Sequence, residues 1–147
     1  GMELQVRKIE WDGLIPALLS GEIDVIIAGM SPTPERAETV SFTNEYYRSE
    51  QVLVVSTSSI YASATSLDDF NGAAVIAQMG TLQNGLIDQI IGVNHQTALT
   101  DYPSLVESVR SGISDALVAE LPALNPKKFE LSALTAPEPA SHPKKFE

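Results

Sequence analysis

The strongest constraint on the fold is an internal echo. Ser20-Gly21-Glu22-Ile23-Asp24-Val25-Ile26-Ile27-Ala28 and Ser111-Gly112-Ile113-Ser114-Asp115-Ala116-Leu117-Val118-Ala119 carry Ser, Gly, Asp and Ala at the same offsets, each behind an amphipathic helix pattern. In both, a glycine stops the helix and a nearly continuous apolar run follows, the kind of strand buried on both faces of a parallel sheet. Helix, stop and strand is a common α/β arrangement, so convergence would give this match. Two lobes of similar topology would give it too, and that is the sharper reading.

The rest of the chain alternates in the same way. Leu4, Val6 and Ile9 predict a strand, and Asp12 an N-cap for a helix that holds Pro16 in its first turn, with Leu14 and Leu18 on one face. Thr33-Pro34-Glu35-Arg36 starts a short helix, with proline at its first position. Val40 to Phe42 and Gln51 to Ser56 read as strands, and the Ser, Thr and Ala-rich residues 56 to 66 as a surface crossover. Ser66-Leu67-Asp68-Asp69 is a capping box, Ala73 to Ala77 a strand, and Thr81 to Ile91 and Pro103 to Arg110 are helices. The pattern is α/β. It divides into a partial first lobe (1–52), a second lobe (53–122) and an irregular tail or partial return to the first lobe (123–147). In that tail Pro126-Lys127-Lys128-Phe129-Glu130 recurs as Pro143 to Glu147 among prolines.

Composition removes whole classes of function. A net charge of -10 repels nucleic acids and anionic membrane surfaces. The absence of cysteine excludes disulfide scaffolds, thiolate zinc sites and cysteine nucleophiles. No apolar run is long enough to span a bilayer, and no basic-then-apolar leader opens the chain. Gly1 ahead of Met2 reads as a cloning remnant, and any export signal or anchor as removed.

Ligands in open α/β sheets bind beyond the carboxyl ends of strands, which selects Gly29, Met30 and Ser31 through Arg36, Gln78 through Thr81, and Glu120. Arg36, at a helix start beside the Ser31 and Thr33 hydroxyls, can grip a carboxylate with both arms of its guanidinium. Its bland alternative is a surface pair with Glu35 or Glu38. Gly80-Thr81 offers backbone N–H groups and a hydroxyl to the same anion, or simply caps the following helix. Glu120, after a buried strand, must meet a cation or reach solvent. Trp11, the one tryptophan, walls a pocket or packs in the core. For enzymes the inventory is poor: the histidines are His95 and His142, and no Gly-rich phosphate loop occurs. No metal or cofactor is expected.

The run Trp11-Asp12-Gly13-Leu14-Ile15-Pro16-Ala17-Leu18-Leu19-Ser20-Gly21-Glu22-Ile23-Asp24, followed by Gly29-Met30-Ser31-Pro32-Thr33-Pro34-Glu35-Arg36 and Val40-Ser41-Phe42-Thr43-Asn44, closely resembles the amino-acid-binding family of bacterial ABC-transporter solute receptors. Gln78-Met79-Gly80-Thr81 and Asp115 to Pro122 follow in the family's order. The resemblance covers about residues 4 to 125. It implies a two-lobed, periplasmic-binding-protein-like type II fold that closes by hinge motion, with the chain crossing near Gln51 to Ser56. It implies that Arg36 holds the ligand α-carboxylate with Ser31 and Thr81 assisting. The Gly29 carbonyl and Glu120 would receive the α-ammonium, and Trp11 would flank the side chain.

Against the family pattern the first lobe is incomplete: the opening strand and helix are missing before Met2, and the Pro-rich tail replaces the return into that lobe. Exposed edge strands would then be covered by dimerisation or domain swapping. The resemblance implies an extracytoplasmic receptor that delivers a polar amino acid to a membrane permease. Two rivals share the fold. One is the ligand-sensing domain of a signalling receptor. The other is a dehydratase enzyme, with a pocket carboxylate such as Glu120 as general acid.

Overall fold

Four consecutive apolar residues, Val52 to Val55, are buried on both faces of strand β1 (Gln51–Ser56), which puts it inside a sheet. The computed structural model describes residues 1–120 and 131–135. β1 pairs antiparallel with β4 (Ala116–Glu120) on one side and with β5 (Leu131–Thr135) on the other. β4 in turn runs parallel to β2 (Ala74–Ile76), and β2 parallel to β3 (Asn94–His95), giving the order β3-β2-β4-β1-β5. The sheet is thus mixed, where the apolar runs alone suggested parallel strands.

The pleat sorts the core into two layers. Val52, Val54, Leu117 and Ala119 face α4 (Tyr102–Arg110) through Leu105, Val106 and Val109. Leu53, Val55, Ala116 and Val118 face the other way, onto Phe70, Ile87 and Ile90, and so toward α3 (Leu82–Ile87). Successive side chains of a strand point to opposite faces, so one apolar run serves both layers. α4 starts where Asp101 accepts from the Ser104 N–H at 2.9 Å and holds Pro103 in its first turn. α3 ends sooner than Ile91, the expected limit. Beyond it the chain tightens through Gln89 N–H to Leu86 O and Ile90 N–H to Ile87 O, and Ile91 is exposed.

Two compact units are present, Gly1–Tyr47 and another that begins at Arg48. The boundary expected at residue 52 falls inside β1. A strand paired along both edges belongs to one sheet, so all of β1 lies in the second unit. Residues 131–135, read from sequence as part of an irregular tail or a partial return to the first lobe, form β5: the edge of β1 offers unpaired main-chain groups, and a proline-free stretch can pair with them. The remaining tail residues, with both Pro-Lys-Lys-Phe-Glu copies and His142, lie outside the described residues.

In the first unit a 3₁₀ turn (Trp11–Gly13) leads into α1 (Leu14–Leu19), and α2 spans Pro34–Ala37. Asp12 lies within the 3₁₀ turn and is not the cap. Thr33 caps α2 as expected, its Oγ1 accepting from Arg36 N–H at 3.2 Å. The strands expected at Leu4 to Ile9, Asp24 to Ala28 and Val40 to Phe42 do not form. A strand satisfies its backbone only through a lateral partner, and among the described residues none pairs with these segments. Val6 and Ile27 accordingly stand exposed.

The internal echo holds through the helix stop and then divides. Glu22 and Ile23 N–H both donate to Ala17 O, while Ile113 and Ser114 N–H both donate to Ser108 O. Gly21 has φ 75° and Gly112 φ 76°, left-handed values that glycine adopts without a Cβ clash. After this shared turn, Ala116–Glu120 enters the sheet between β2 and β1 and its counterpart remains unpaired.

Acid should loosen the second unit. Asp69 accepts from the Thr65 and Ser66 N–H groups, each at 2.9 Å, and Asp101 from Ser104, and these bonds hold both carboxyls below the ordinary 3.8. A depressed folded pKa stabilises fully above the unfolded value, and that contribution is lost as pH falls through the folded one. Thermal unfolding between neutral pH and acid should therefore show a falling midpoint below about pH 4. The slope should flatten in Asp69→Asn and Asp101→Asn.

Candidate ligand-binding site

The site residues named from sequence fall into two groups, one in each unit. In the first, Pro34 and the Thr33 cap fix the start of α2, and the register of this short helix turns Arg36 back on its own loop. Arg36 Nη1 donates to the Ser31 carbonyl at 2.8 Å, and the guanidinium carbon lies 5.7 Å from the centroid of the Trp11 ring. Trp11 is half-buried and carries the cation on its ring, a partly desolvated cation–π contact. Burial lowers the Arg36 pKa and Glu35 opposes the shift, yet a guanidinium stays charged at neutral pH. Arg36 is thus half-buried against its own loop and the Trp11 ring, with the Glu35 charge acting on it as well.

Ser31 meets Arg36 through its carbonyl, and the Thr33 hydroxyl serves as the helix cap. α2 is only 4 residues long, too short to add much dipole, so the positive charge at this loop is that of Arg36. Gly29 has φ 64° and its N–H donates to the Tyr46 hydroxyl at 3.1 Å, which anchors the loop that carries Met30 and Ser31.

In the second unit the carboxyl ends of β2 and β4 supply the rest. Gln78 forms a parallel bridge with Leu99 and its Nε2 donates to Thr100 O at 2.8 Å. Thr81 precedes α3, but its hydroxyl donates back to Gln78 O at 2.7 Å instead of capping the helix. Glu120 closes β4. It is half-buried, and its carboxylate accepts from two neutral amides: Gln51 Nε2 at 3.2 Å and Gln83 Nε2 at 3.1 Å, both on Oε1. Burial and the Glu120 charge push the Tyr102 hydroxyl up to about 12, so that phenol is neutral beside the carboxylate.

Sequence reasoning missed Gln51 and Gln83. Each has a positional signal in hindsight, since Gln51 opens β1 and is the register partner of Glu120, and Gln83 sits in the first turn of α3. A glutamine at a strand end is ordinary, so nothing local marks it.

His95 lies on β3, with Nδ1 2.7 Å from Asp88 Oδ1 and Nε2 3.0 Å from Asn84 Oδ1, so it ties the exposed side of α3 to the sheet. Among the described residues no cluster of His, Asp and Glu has the makings of a metal site. What the two groups can do chemically is bind charge: a fixed guanidinium for an anion, a fixed carboxylate for a cation.

The model of one protein family, described as bacterial extracellular solute-binding proteins, family 3, matches residues 1–127. The arginine-binding extracellular protein ArtP of Bacillus subtilis is 36% identical over 83 residues, covering 56% of this chain and 31% of ArtP. A probable histidine-binding protein of Campylobacter jejuni is 34% identical over 120 residues, covering 82% of this chain and 46% of that protein. Among solved structures, the substrate-binding protein of an amino acid ABC transporter superposes with a TM-score of 0.78 at 31% identity, covering 90% of this chain and 58% of its own. The chain therefore spans less than half the length of these two curated relatives.

Proposed function

The chain belongs to the bacterial extracellular solute-binding proteins of family 3, and from that premise we propose that it binds a free amino acid as the capture component of an ABC transporter. Arg36 receives the α-carboxylate and Glu120 the α-ammonium. Trp11 flanks the ligand, with Gly29, Met30, Ser31, Gln78 and Thr81 around it. The observation that carries this reading is the Arg36 group. A half-buried guanidinium, tied to Ser31 O and set over Trp11, is oriented before any ligand arrives, and a planar guanidinium is the group that matches a carboxylate fork.

The named relatives are binding proteins. In keeping with them, the protein performs no covalent chemistry, acts outside the cytoplasm and passes its ligand to a membrane permease. A polar or cationic side chain suits an acidic protein of net charge -10.

A thermal-shift panel of the common amino acids tests this. A ligand that binds only the folded state should stabilise it by about 2.7 kcal/mol at a hundred times its Kd. Because Trp11 is the single tryptophan, its emission should change with the same ligand and the same midpoint. A folded sample that no amino acid stabilises would sink the proposal.

A further inference from the structure

The amides around Glu120 are neutral, and that is informative. A lysine or arginine at Gln51 or Gln83 would hold the carboxylate equally well but would cancel its charge. Two glutamines hold it and leave the charge in place. Both donate to the same oxygen, Oε1, and Gln83 Nε2 also donates to Gln51 Oε1 at 3.0 Å, so the three side chains form one closed set. A carboxylate offers about four acceptor sites on its two oxygens. Oε1 is occupied twice, while Oε2 accepts no hydrogen bond from the described residues.

The frame beneath this set is stiff. Gln51 and Glu120 are register partners across the β1–β4 ladder, and the residues that follow Gln51 and precede Glu120 are fully buried. Gln83 stands in the first turn of α3, whose Leu86 and Ile87 are buried. Neither amide depends on a loop for its position.

We propose that Gln51, with Gln83, is a positioning residue that fixes the Glu120 carboxylate in one rotamer and presents Oε2 to the ligand ammonium, so that the site selects for a free α-amino group. This rests on the amino-acid reading above. Fixing the rotamer in advance removes an ordering cost that binding would otherwise carry, and it does so without weakening the local negative field.

The test compares wild type, Gln51→Leu, Gln83→Leu and the double variant, which keep side-chain volume while removing the donors. Each is titrated with L-arginine, L-histidine and L-glutamine and with the des-amino analogue of each, and thermal unfolding reports whether the variant is folded. Losing one immobilised side chain corresponds to roughly a 3- to 10-fold loss of affinity for the amino acid. The double variant should lose more than the product of the two single losses, because either amide alone still holds Oε1. The des-amino analogues, which lack the group that Oε2 meets, should bind weakly and equally to all four proteins. If the amino acids bind wild type and the folded variants alike, or if the analogues lose affinity in parallel, the positioning role falls and the amino-acid reading stands. If none of the three amino acids binds wild type, both fall. Should Gln51→Leu not fold, Gln83→Leu carries the comparison.

Discussion

Arg36→Ala is expected to cost the largest share of ligand affinity of any single change, about 2–5 kcal/mol or roughly 30- to 5,000-fold, measured by isothermal titration with whichever amino acid stabilises the wild type. The loss has two sources. The ligand carboxylate would be desolvated without a charged partner, and the fork that orients it would be gone. The helix should survive, because Thr33 Oγ1 accepts from the Arg36 main-chain N–H, which alanine retains. Arg36→Lys should recover little of the loss. An ammonium that reaches Ser31 O has no planar second edge left for a carboxylate and cannot spread over Trp11 as a guanidinium does. If Arg36→Ala binds as wild type does, the carboxylate lies elsewhere and the proposed site is wrong.

The largest effect on stability is expected at Phe70. It is 1% exposed, its ring stacks on Tyr61 at a centroid distance of 5.3 Å, and it sits in the layer that joins Leu53, Val55 and Val118 to Ile87 and Ile90. Phe70→Ala removes a ring from a close-packed face and leaves a cavity that the sheet cannot close, so it should destabilise the second unit by about 3–5 kcal/mol. Urea unfolding should show a lower midpoint at an unchanged slope. Ile91→Ala supplies the contrast. That side chain is 87% exposed and touches no core cluster, so its removal should shift stability by no more than about 0.5 kcal/mol. Equal effects at the two positions would mean that the layer assignment is mistaken.

Much of this protein is local and was readable as such. The cap at Thr33 with Pro34, the capping box at Ser66 and Asp69, and the stops at Gly21 and Gly112 each depend on residues within a few positions of one another. The run of motifs from Trp11 to Arg36 was enough to place the chain in its family, and Trp11, Ser31 and Arg36 do come together in one group. What the sequence by itself determined was therefore the Thr33 cap, the glycine stops, the family, and the grouping of Trp11, Ser31 and Arg36.

Only the tertiary structure decided which apolar runs become strands and what surrounds Glu120. Asp24 to Ala28 and Asp115 to Ala119 carry nearly the same signal and share the same glycine turn, but just one lies between partners that satisfy its backbone. Pairing is supplied from far along the chain, and so no local pattern encodes it. The same is true of the amides on Glu120: Gln51 lies 69 residues away and Gln83 lies 37 away, brought to one oxygen by a strand register and a helix start. Composition and spacing carry short-range physics well, whereas a hydrogen bond across the sheet exists only once the sheet does.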